Sequence, residues 1–406
     1  MPQGPTPPSL LFSPSHWLWL LFRLSLARPH PGGAILTGSR LGFSSGLIGR
    51  ARPRATAVAK SEKGNINRGV LKVFGCLLPV GLLAFPLEAI SAAFLFPTAN
   101  RALVNPGGES SFFVGTAGKS WTSGQFGCVR SGGHQMHEGI DIRCQRRDAR
   151  GEPNDPVFAS ADGIVAYINT RPGLSNYGIY VILRHRIEGL DIHTLYAHLR
   201  EPRSGLRTGL SVKAGDPIGV MGLTSNTRQR ISQDRAHVHF EINLLLNDRF
   251  VEWHKKNHPG QRNDHGLWNG HNLLGIDPAA ILKAQAAQGR SFSLLEHLRN
   301  QTELCRIVVR DTQFSWVNRF TPLIRRNPIA DREGFAGFEI ALNFNGVPFQ
   351  LIPRAASELK GKTGIELLRV NSAEAQSRGC RRLVQKTKKG WELTQKGISL
   401  IESLIY

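Results

Sequence analysis

Cysteine is scarce in this chain, with 5 in 406 residues, and no two of them form a CxxC pair. This excludes small disulfide-dense scaffolds and argues against a metal held by cysteines. Acidic side chains are also few, since 30 Asp and Glu stand against 51 Lys and Arg and leave a net charge of +21. Hydrophobic residues make up 41% of the chain, which is enough for a buried core and excludes disorder for most of it.

The positive surplus is spread along the whole chain and is not concentrated in one patch. A surplus of this kind attracts polyanions, which include nucleic acid, acidic lipid and an anionic cell wall. No aromatic residues are interleaved with the basic ones, and no zinc-finger, RNA-recognition or helix-turn-helix signature is present. We therefore predict no nucleic-acid partner.

A largely apolar stretch of 18 residues runs from Val70 to Leu87, ahead of the mostly small residues of 89–93. Its basic lead consists of Lys60, Lys63 and Arg68 before the stretch and Lys72 near its start. Basic, apolar and small-residue zones in this order are typical of a secretory signal, so residues 60–95 are predicted to be a signal peptide. The alternative is a membrane anchor, because a stretch of this length just spans a bilayer. Pro79, Gly81 and Pro86 inside it favour cleavage. Since a signal normally begins at the true start, we expect residues 1–59 to be poorly ordered and to be upstream sequence translated from a misassigned start.

Cys76 lies in the predicted signal and would be removed with it, which leaves Cys128, Cys144, Cys305 and Cys380. An even number of cysteines in an exported chain permits two disulfides. Of the three pairings, Cys128–Cys144 with Cys305–Cys380 is the simplest, and the first bond would act as a local staple.

Short apolar stretches separated by Gly, Pro, Asn or Asp extend from about residue 112 to residue 246. This pattern predicts antiparallel β structure, with no helix longer than two turns before Pro278. A helix over 278–287 is predicted to begin at the cap Asp277. In the segment 300–406, Asn345-Gly346 between alternating stretches predicts a hairpin.

Histidines cluster in the predicted β region. His137 and Asp141 are four residues apart and could meet on one ion only if the chain turns between them, which Gly139 permits. His237 and His239 are two residues apart, so on a strand both face the same side. Histidine and aspartate suit zinc, and three protein ligands leave a fourth position for water, as in catalytic sites.

Seven segments in a fixed order extend this pattern. They are SGQFG at 123–127, HEGIDI at 137–142, PVFASADGIV at 156–165, YGIYVI at 177–182, TLYAHL at 194–199, GDPIG at 215–219 and HVHFEI at 237–242. The series resembles the lysostaphin-type zinc metallopeptidases, endopeptidases that cut peptides in bacterial cell walls. The resemblance covers about 120–245, roughly a third of the chain.

The resemblance implies one zinc ion held by His137, Asp141 and His239 plus a water. It also implies that His198 and His237 are catalytic histidines that do not bind the metal. One imidazole can accept a proton from water and the other can stabilise an oxyanion, and the sequence leaves open which does which.

The implied fold is mainly β, an antiparallel-sheet metallopeptidase domain over 105–290. Its core is expected at 120–245, with an insert at 247–274. Residues 300–406 are expected to form an additional α+β segment of unknown role.

Several other side chains keep two interpretations. Glu241 either orients a metal ligand or is a solvated strand residue. His185 and His193 are expected to flank a hairpin. The loop 222–237, which carries three arginines, and the polar insert 247–274 either line the groove or are plain solvated loops. The insert contains four histidines: His254, His258, His265 and His271.

The sequence thus predicts an exported zinc endopeptidase that hydrolyses peptide bonds of peptidoglycan in the periplasm or cell envelope of a bacterium. Membrane contact is expected only through the N-terminal segment, if that segment is not cleaved. One alternative directs the same zinc chemistry at a protein or a secreted peptide. Another is a non-catalytic module that binds the wall or activates a partner.

Overall fold

The structure, a computed structural model, describes residues 93–227, 230–361 and 364–406. Residues 1–59 and nearly all of the predicted signal lie outside the described residues. In the part of the chain that is described, no helix is both long and apolar enough to cross a membrane.

Antiparallel strands are the predominant regular secondary structure of the described residues, as the sequence predicts. Their bounds are β1 Gly127–Arg130, β2 Gln135–His137, β3 Ile140–Arg143, β4 Pro156–Phe158, β5 Gly163–Asn169, β6 Ile179–Ile187, β7 Leu190–Pro202, β8 Ser211–Val212, β9 Pro217–Met221, β10 His237–Leu245, β11 Leu273–Ile276, β12 Cys305–Val309, β13 Gly337–Leu342, β14 Pro348–Arg354, β15 Ile365–Val370, β16 Val384–Thr387 and β17 Gly390–Leu393.

The central sheet contains nine of the described strands, in the order β11-β10-β7-β6-β5-β8, with β3 paired to β10 and β9 joining β4 to β7. Strand β10 is its axis, because it pairs with β7 along one side and with β3 and then β11 along the other. His185 and His193 lie in the hairpin of β6 and β7, on either side of its turn, as expected.

Alternation along β10 explains its position. Val238, Phe240, Ile242 and Leu244 are fully buried in the main hydrophobic core, which extends from Phe94 to Leu404. The intervening side chains, His237, His239, Glu241 and Asn243, are polar and point to the other face, yet they too are buried. A strand with one apolar and one polar buried face places polar groups where water is largely excluded, and there each needs a partner.

The helices are short. Their bounds are α1 Glu109–Phe112, α2 Phe250–Asn257, α3 Pro278–Gln288, α4 Leu294–Arg299, α5 Ser315–Arg319, α6 Pro328–Glu333, α7 Ser372–Ser377 and α8 Gln395–Leu404. The predicted helix at Pro278 is confirmed, and Asp277 caps it by accepting hydrogen bonds from the amides of Ala279 and Ala280. The prediction of a polar loop was wrong for 250–257, where α2 buries Phe250 and Trp253.

The α+β character of the C-terminal segment is confirmed. Its four-stranded sheet has the order β14-β13-β12-β15, and the predicted turn at Asn345-Gly346 connects β13 to β14. This segment packs on the central sheet: Asn345 Nδ2 donates to the carbonyl of Gly275 on β11 at 2.7 Å. The Arg319 guanidinium donates to the carbonyls of Leu245 and Leu246 at the end of β10.

The disulfide pairing expected from the sequence was wrong. Cys128 on β1 is bonded to Cys380, 252 residues later, whereas Cys144 and Cys305 are free thiols. The simplest pairing assumed local closure, but the fold brings the C-terminal segment against β1 and β2. Cys144 instead donates a hydrogen bond to the Asp155 carboxylate, and Cys305 is buried in β12.

Candidate metal centre

A tight bend between β2 and β3 brings His137 and Asp141 together. His137 ends β2, and Ile140 begins β3 after two residues. Gly139 makes the bend possible, because a Cβ at this position would lie 2.3 Å from the backbone oxygen of Phe240. Both predicted ligands are buried, at 4% and 2% exposure.

His239 reaches the same point from across the sheet. Strands β3 and β10 pair so that Asp141 lies directly opposite His239, and side chains opposite each other share a face. His137 Nε2, Asp141 Oδ1 and His239 Nδ1 form a triangle with sides of 3.0, 3.1 and 3.2 Å. Ligands at ordinary tetrahedral zinc distances are separated by about 3.3 Å, so this donor set fits the ion.

Hydrogen bonds on the far side of each ring fix which nitrogen faces the centre. His137 Nδ1 donates to the carbonyl of Gln125 at 2.7 Å, which leaves Nε2 as its acceptor nitrogen. His239 Nε2 lies 2.8 Å from Glu241 Oε1, which directs Nδ1 of this ring toward Asp141. Each imidazole therefore presents to the centre the atom that a metal would use.

Glu241 is a buried partner of His239, so it is not a solvated strand residue. Its Oε1 also accepts a hydrogen bond from the Tyr177 hydroxyl at 2.8 Å, and its Oε2 accepts one from Asn243 Nδ2 at 2.7 Å. The carboxylate is thus fully paired although it is 0% exposed. Burial and the nearby Glu241 charge raise the pKa of Tyr177 well above its usual range, so this hydroxyl remains a donor.

His198 reaches the centre because the backbone of β7 departs from regular alternation. Tyr196 and Leu199 both pack in the main core, although residues three apart on a regular strand face opposite sides of the sheet. Between them His198 adopts a φ of +61°, a left-handed conformation that costs an ordinary residue about 1–2 kcal/mol. The ring consequently lies with its centroid 4.8 Å from that of His237 and 6.0 Å from that of His239.

His198 and His237 share one hydrogen-bonding arrangement. Nδ1 of His198 donates to the carbonyl of Thr224 at 2.9 Å, and Nδ1 of His237 donates to that of Arg235 at 2.6 Å. Nε2 is then the acceptor nitrogen of each neutral ring. Burial lowers the pKa of both imidazoles, and for His198 the neighbouring histidines lower it further. Both rings are therefore neutral at neutral pH.

The electrostatics of the ligand cluster favour a cation. Burial alone would raise the pKa of Asp141, but the surrounding imidazoles hold it well below its usual range. For His239, burial alone would lower the pKa, but hydrogen bonds with the carboxylates of Asp141 and Glu241 raise it to about 10. Two buried carboxylates thus supply negative charge that a divalent ion would balance.

Arg130, at the end of β1, inserts a positive charge into this cluster. Its Nη2 lies 2.6 Å from Asp141 Oδ2 and 2.8 Å from His137 Nε2. No feature of the sequence marked this residue, because it lies outside the seven matched segments and is brought to the cluster by the β1–β2 hairpin. Among the described residues, the guanidinium is the one cation in contact with a nitrogen that is expected to bind metal.

A groove of about 1020 Å³ opens onto the centre. The loop 222–237 lines it with Ser225, Ile231 and Arg235, and the insert lines it with His265, Asn269 and His271. Both segments therefore border the groove, although Arg228 lies outside the described residues. His254 and His258 lie on and just after α2, and they line a neighbouring cavity.

Comparisons with known proteins find the same family that the motifs resemble. Residues 135–252 match Peptidase family M23. The chain is 22% identical to the catalytic domain of lysostaphin from Staphylococcus simulans, over 39% of this chain and 87% of that one, with a TM-score of 0.24. No curated protein matches the chain.

Two other solved structures are matched over shorter parts of their chains. A zinc containing peptidase from Vibrio cholerae is 25% identical, over 26% of this chain and 26% of that one, with a TM-score of 0.20. Helicobacter pylori Csd3 is 22% identical, over 27% of this chain and 23% of that one, with a TM-score of 0.20. This chain thus covers about a quarter of the length of each. Residues 135–252 form a Peptidase M23 domain.

Proposed function

We propose that this protein is an exported, zinc-dependent endopeptidase that hydrolyses peptide bonds in peptidoglycan. One observation carries the proposal: His137, Asp141 and His239 converge with the geometry of a zinc site, beside two neutral imidazoles in an open groove. Peptidases of family M23 are zinc-dependent and typically act on peptidoglycan. The site therefore has both the donors and the access that such a hydrolysis needs.

His137 Nε2, Asp141 Oδ1 and His239 Nδ1 would hold the zinc ion. Bound there, zinc would lower the pKa of a water molecule to about 7 and polarise the carbonyl of the peptide to be cut. Glu241 would hold His239 in the orientation and tautomer that this requires.

His198 and His237 supply the proton transfers. Both rings line the groove, and each is neutral with Nε2 as its acceptor nitrogen, so either can accept a proton from the attacking water. The protonated ring then donates a hydrogen bond to the oxyanion or a proton to the leaving amine. The backbone carbonyls of Thr224 and Arg235 hold the two rings in place while this occurs.

Export and an anionic substrate are supported by chemistry outside the centre. The disulfide joins Cys128 to Cys380, which are 252 positions apart. Such a bond persists in an oxidising compartment and not in a reducing cytosol. The net charge of +21 attracts the chain to an anionic wall.

The test is digestion of purified sacculi by the full chain. We expect release of soluble muropeptides, loss of release with a chelator, and recovery when zinc is restored. His297→Ala is a matched control for alanine variants of the site histidines, because its imidazole lines neither the groove nor the neighbouring cavity. A protein that binds sacculi without cutting them, with or without zinc, would instead be a wall-binding module. Cleavage of proteins but not of sacculi would direct the same chemistry to another substrate.

A further inference from the structure

Arg381 belongs to the C-terminal segment, yet it lines the catalytic groove. The same residue also lines a second cavity of about 450 Å³, formed between α2 and the C-terminal segment. Five residues are shared by the two cavities: Gln135, Met136, Glu138, His271 and Arg381. The groove of the peptidase domain therefore continues into a space whose far wall is the C-terminal segment.

The disulfide fixes Arg381 in this position. Cys380 precedes it directly and is bonded to Cys128 on β1, with the two Cα atoms 5.5 Å apart. Cys380 also contacts Met136 on β2, since the two sulfur atoms lie 3.9 Å apart. The guanidinium is thus attached to the strands that precede His137, although its own segment begins about 170 residues after them.

Arg381 is a cation without a direct partner. Among the described residues, none forms a hydrogen bond or an ion pair with its guanidinium, and the negative charge that acts on it is that of Glu138, with which it forms no ion pair. The side chain is half-buried, and burial lowers its pKa, although a guanidinium stays protonated in proteins. Lys396 adds a further positive group at the second cavity.

A half-buried, unpaired guanidinium favours a planar anion that accepts two parallel hydrogen bonds. We propose that Arg381 binds a free carboxylate of the peptide substrate and so selects peptides that carry one near the bond that is cut. This inference rests on the proposed function, because it assigns the substrate class of the same groove. It also gives the C-terminal segment a role in recognition.

The experiment measures equilibrium binding of soluble muropeptides to the zinc-loaded full chain by titration calorimetry. The muropeptides are used as isolated and after their carboxylates are converted to amides with carbodiimide and ammonia. We expect the acid form to bind about tenfold to a hundredfold more tightly, which is typical of a charge-assisted pair. Arg381→Gln should abolish the preference for the acid form. Arg381→Lys should retain only part of it, because lysine keeps the positive charge but loses the two parallel N–H donors of the guanidinium.

Arg382→Gln is the matched control. It removes the same charge from the next residue, which is exposed and lines neither cavity, and it should leave the ratio unchanged. Stem peptides amidated only at the C terminus, or only at the side-chain carboxyl, then show which carboxylate is bound. An intact Cys128–Cys380 bond in each variant, checked by mass under non-reducing conditions, shows that its fold is retained.

The experiments distinguish failure of the carboxylate site from failure of the proposed hydrolase activity. Equal binding of acid and amide forms by the wild-type chain, or an unchanged ratio in Arg381→Gln, overturns the carboxylate site even if sacculi are digested. Preferential binding of the acid form that depends on Arg381, without digestion of sacculi, keeps the carboxylate site and overturns the hydrolase. Absence of binding to either form contradicts the carboxylate site.

Discussion

Nη2 of Arg130 lies 2.6 Å from Oδ2 of Asp141, inside the cluster that we expect to bind zinc. The same nitrogen lies 2.8 Å from His137 Nε2, whose lone pair cannot serve a guanidinium and a metal ion together. Because its side chain is 17% exposed, Arg130 has room to withdraw.

Arg130→Gln should therefore bind zinc more tightly than the wild type. Removal of a competing positive charge is expected to lower the dissociation constant about tenfold, which corresponds to about 1.4 kcal/mol. Competition with a fluorescent zinc chelator measures this. Arg143→Gln on β3 is the control, since its guanidinium donates to the Phe113 carbonyl and lies outside the cluster. Weaker zinc binding by Arg130→Gln would show that the residue positions Asp141 more than it competes.

Glu241→Gln should weaken zinc binding. The amide keeps the shape of the side chain but removes the negative charge that orients and polarises His239, and such changes typically cost 10–100-fold in metal affinity. The same chelator competition measures the loss. An affinity equal to that of the wild type would mean that the buried carboxylate serves only the packing of Tyr177 and Asn243.

His198→Ala and His239→Ala should separate catalysis from metal binding. His239→Ala is expected to lose zinc and activity together, whereas His198→Ala should keep zinc and lose activity about 100–10,000-fold, the range typical of general acid–base groups. Metal content by mass spectrometry and digestion of sacculi provide the two readings. Equal loss of zinc in both variants would overturn the assignment of roles.

These roles show what the sequence could and could not predict. The alternation of β10 places His237 and His239 on one face, and this can be read from two residues and their strand context. The pairing of Asp141 with His239 joins residues 98 positions apart, and only the resemblance to a family implied it. The orientation of His198 depends on a φ of +61°, which no local sequence pattern predicts.

Long-range packing explains the predictions that were wrong. The sequence favoured local disulfides, but the bond to Cys380 depends on how the C-terminal segment docks against β1. The polar insert contains α2, in which Phe250 and Trp253 become buried. The helix propensity of a short stretch of sequence does not show that tertiary burial.

Stability should fall on acidification because two histidines are buried in the β6–β7 hairpin. Burial lowers the pKa of His185 and of His193 to about 4. The unfolded chain, with pKa values near 6.5, thus binds more protons between pH 6.5 and 4, so the free energy of unfolding decreases as the pH falls through this window. Each ring should cost on the order of 3 kcal/mol by pH 4.

Urea unfolding at pH 7.5 and at pH 5 measures this dependence. His185→Gln should reduce the dependence, because glutamine does not titrate, and His193 should account for what remains. Glutamine can still donate to the Asp162 carbonyl that His185 Nδ1 meets at 2.8 Å, so the local hydrogen bond is kept. The same slope in the variant and the wild type would exclude His185 as a source of the acid sensitivity.

Cys380→Ser should destabilise the chain by about 2–5 kcal/mol, the usual cost of losing a native disulfide. Cys144→Ser is the matched control, because that thiol is free and its hydrogen bond to Asp155 can be made by serine. Denaturant midpoints compare the two variants, and non-reducing peptide mapping identifies the bonded pair. A mapped Cys128–Cys144 bond would contradict the fold described for the C-terminal segment.

The bond between Cys128 and Cys380 has a consequence for the timing of maturation. The motif strands are synthesised early, but the wall of the groove that carries Arg381 is attached only after position 380 has emerged and met an oxidant. A nascent or truncated chain that ends before this position has every predicted zinc ligand and both imidazoles proposed to be catalytic, but it lacks Arg381 and the C-terminal wall of the neighbouring cavity. Full assembly of the binding surface is thus delayed until Cys380 has been synthesised and oxidised.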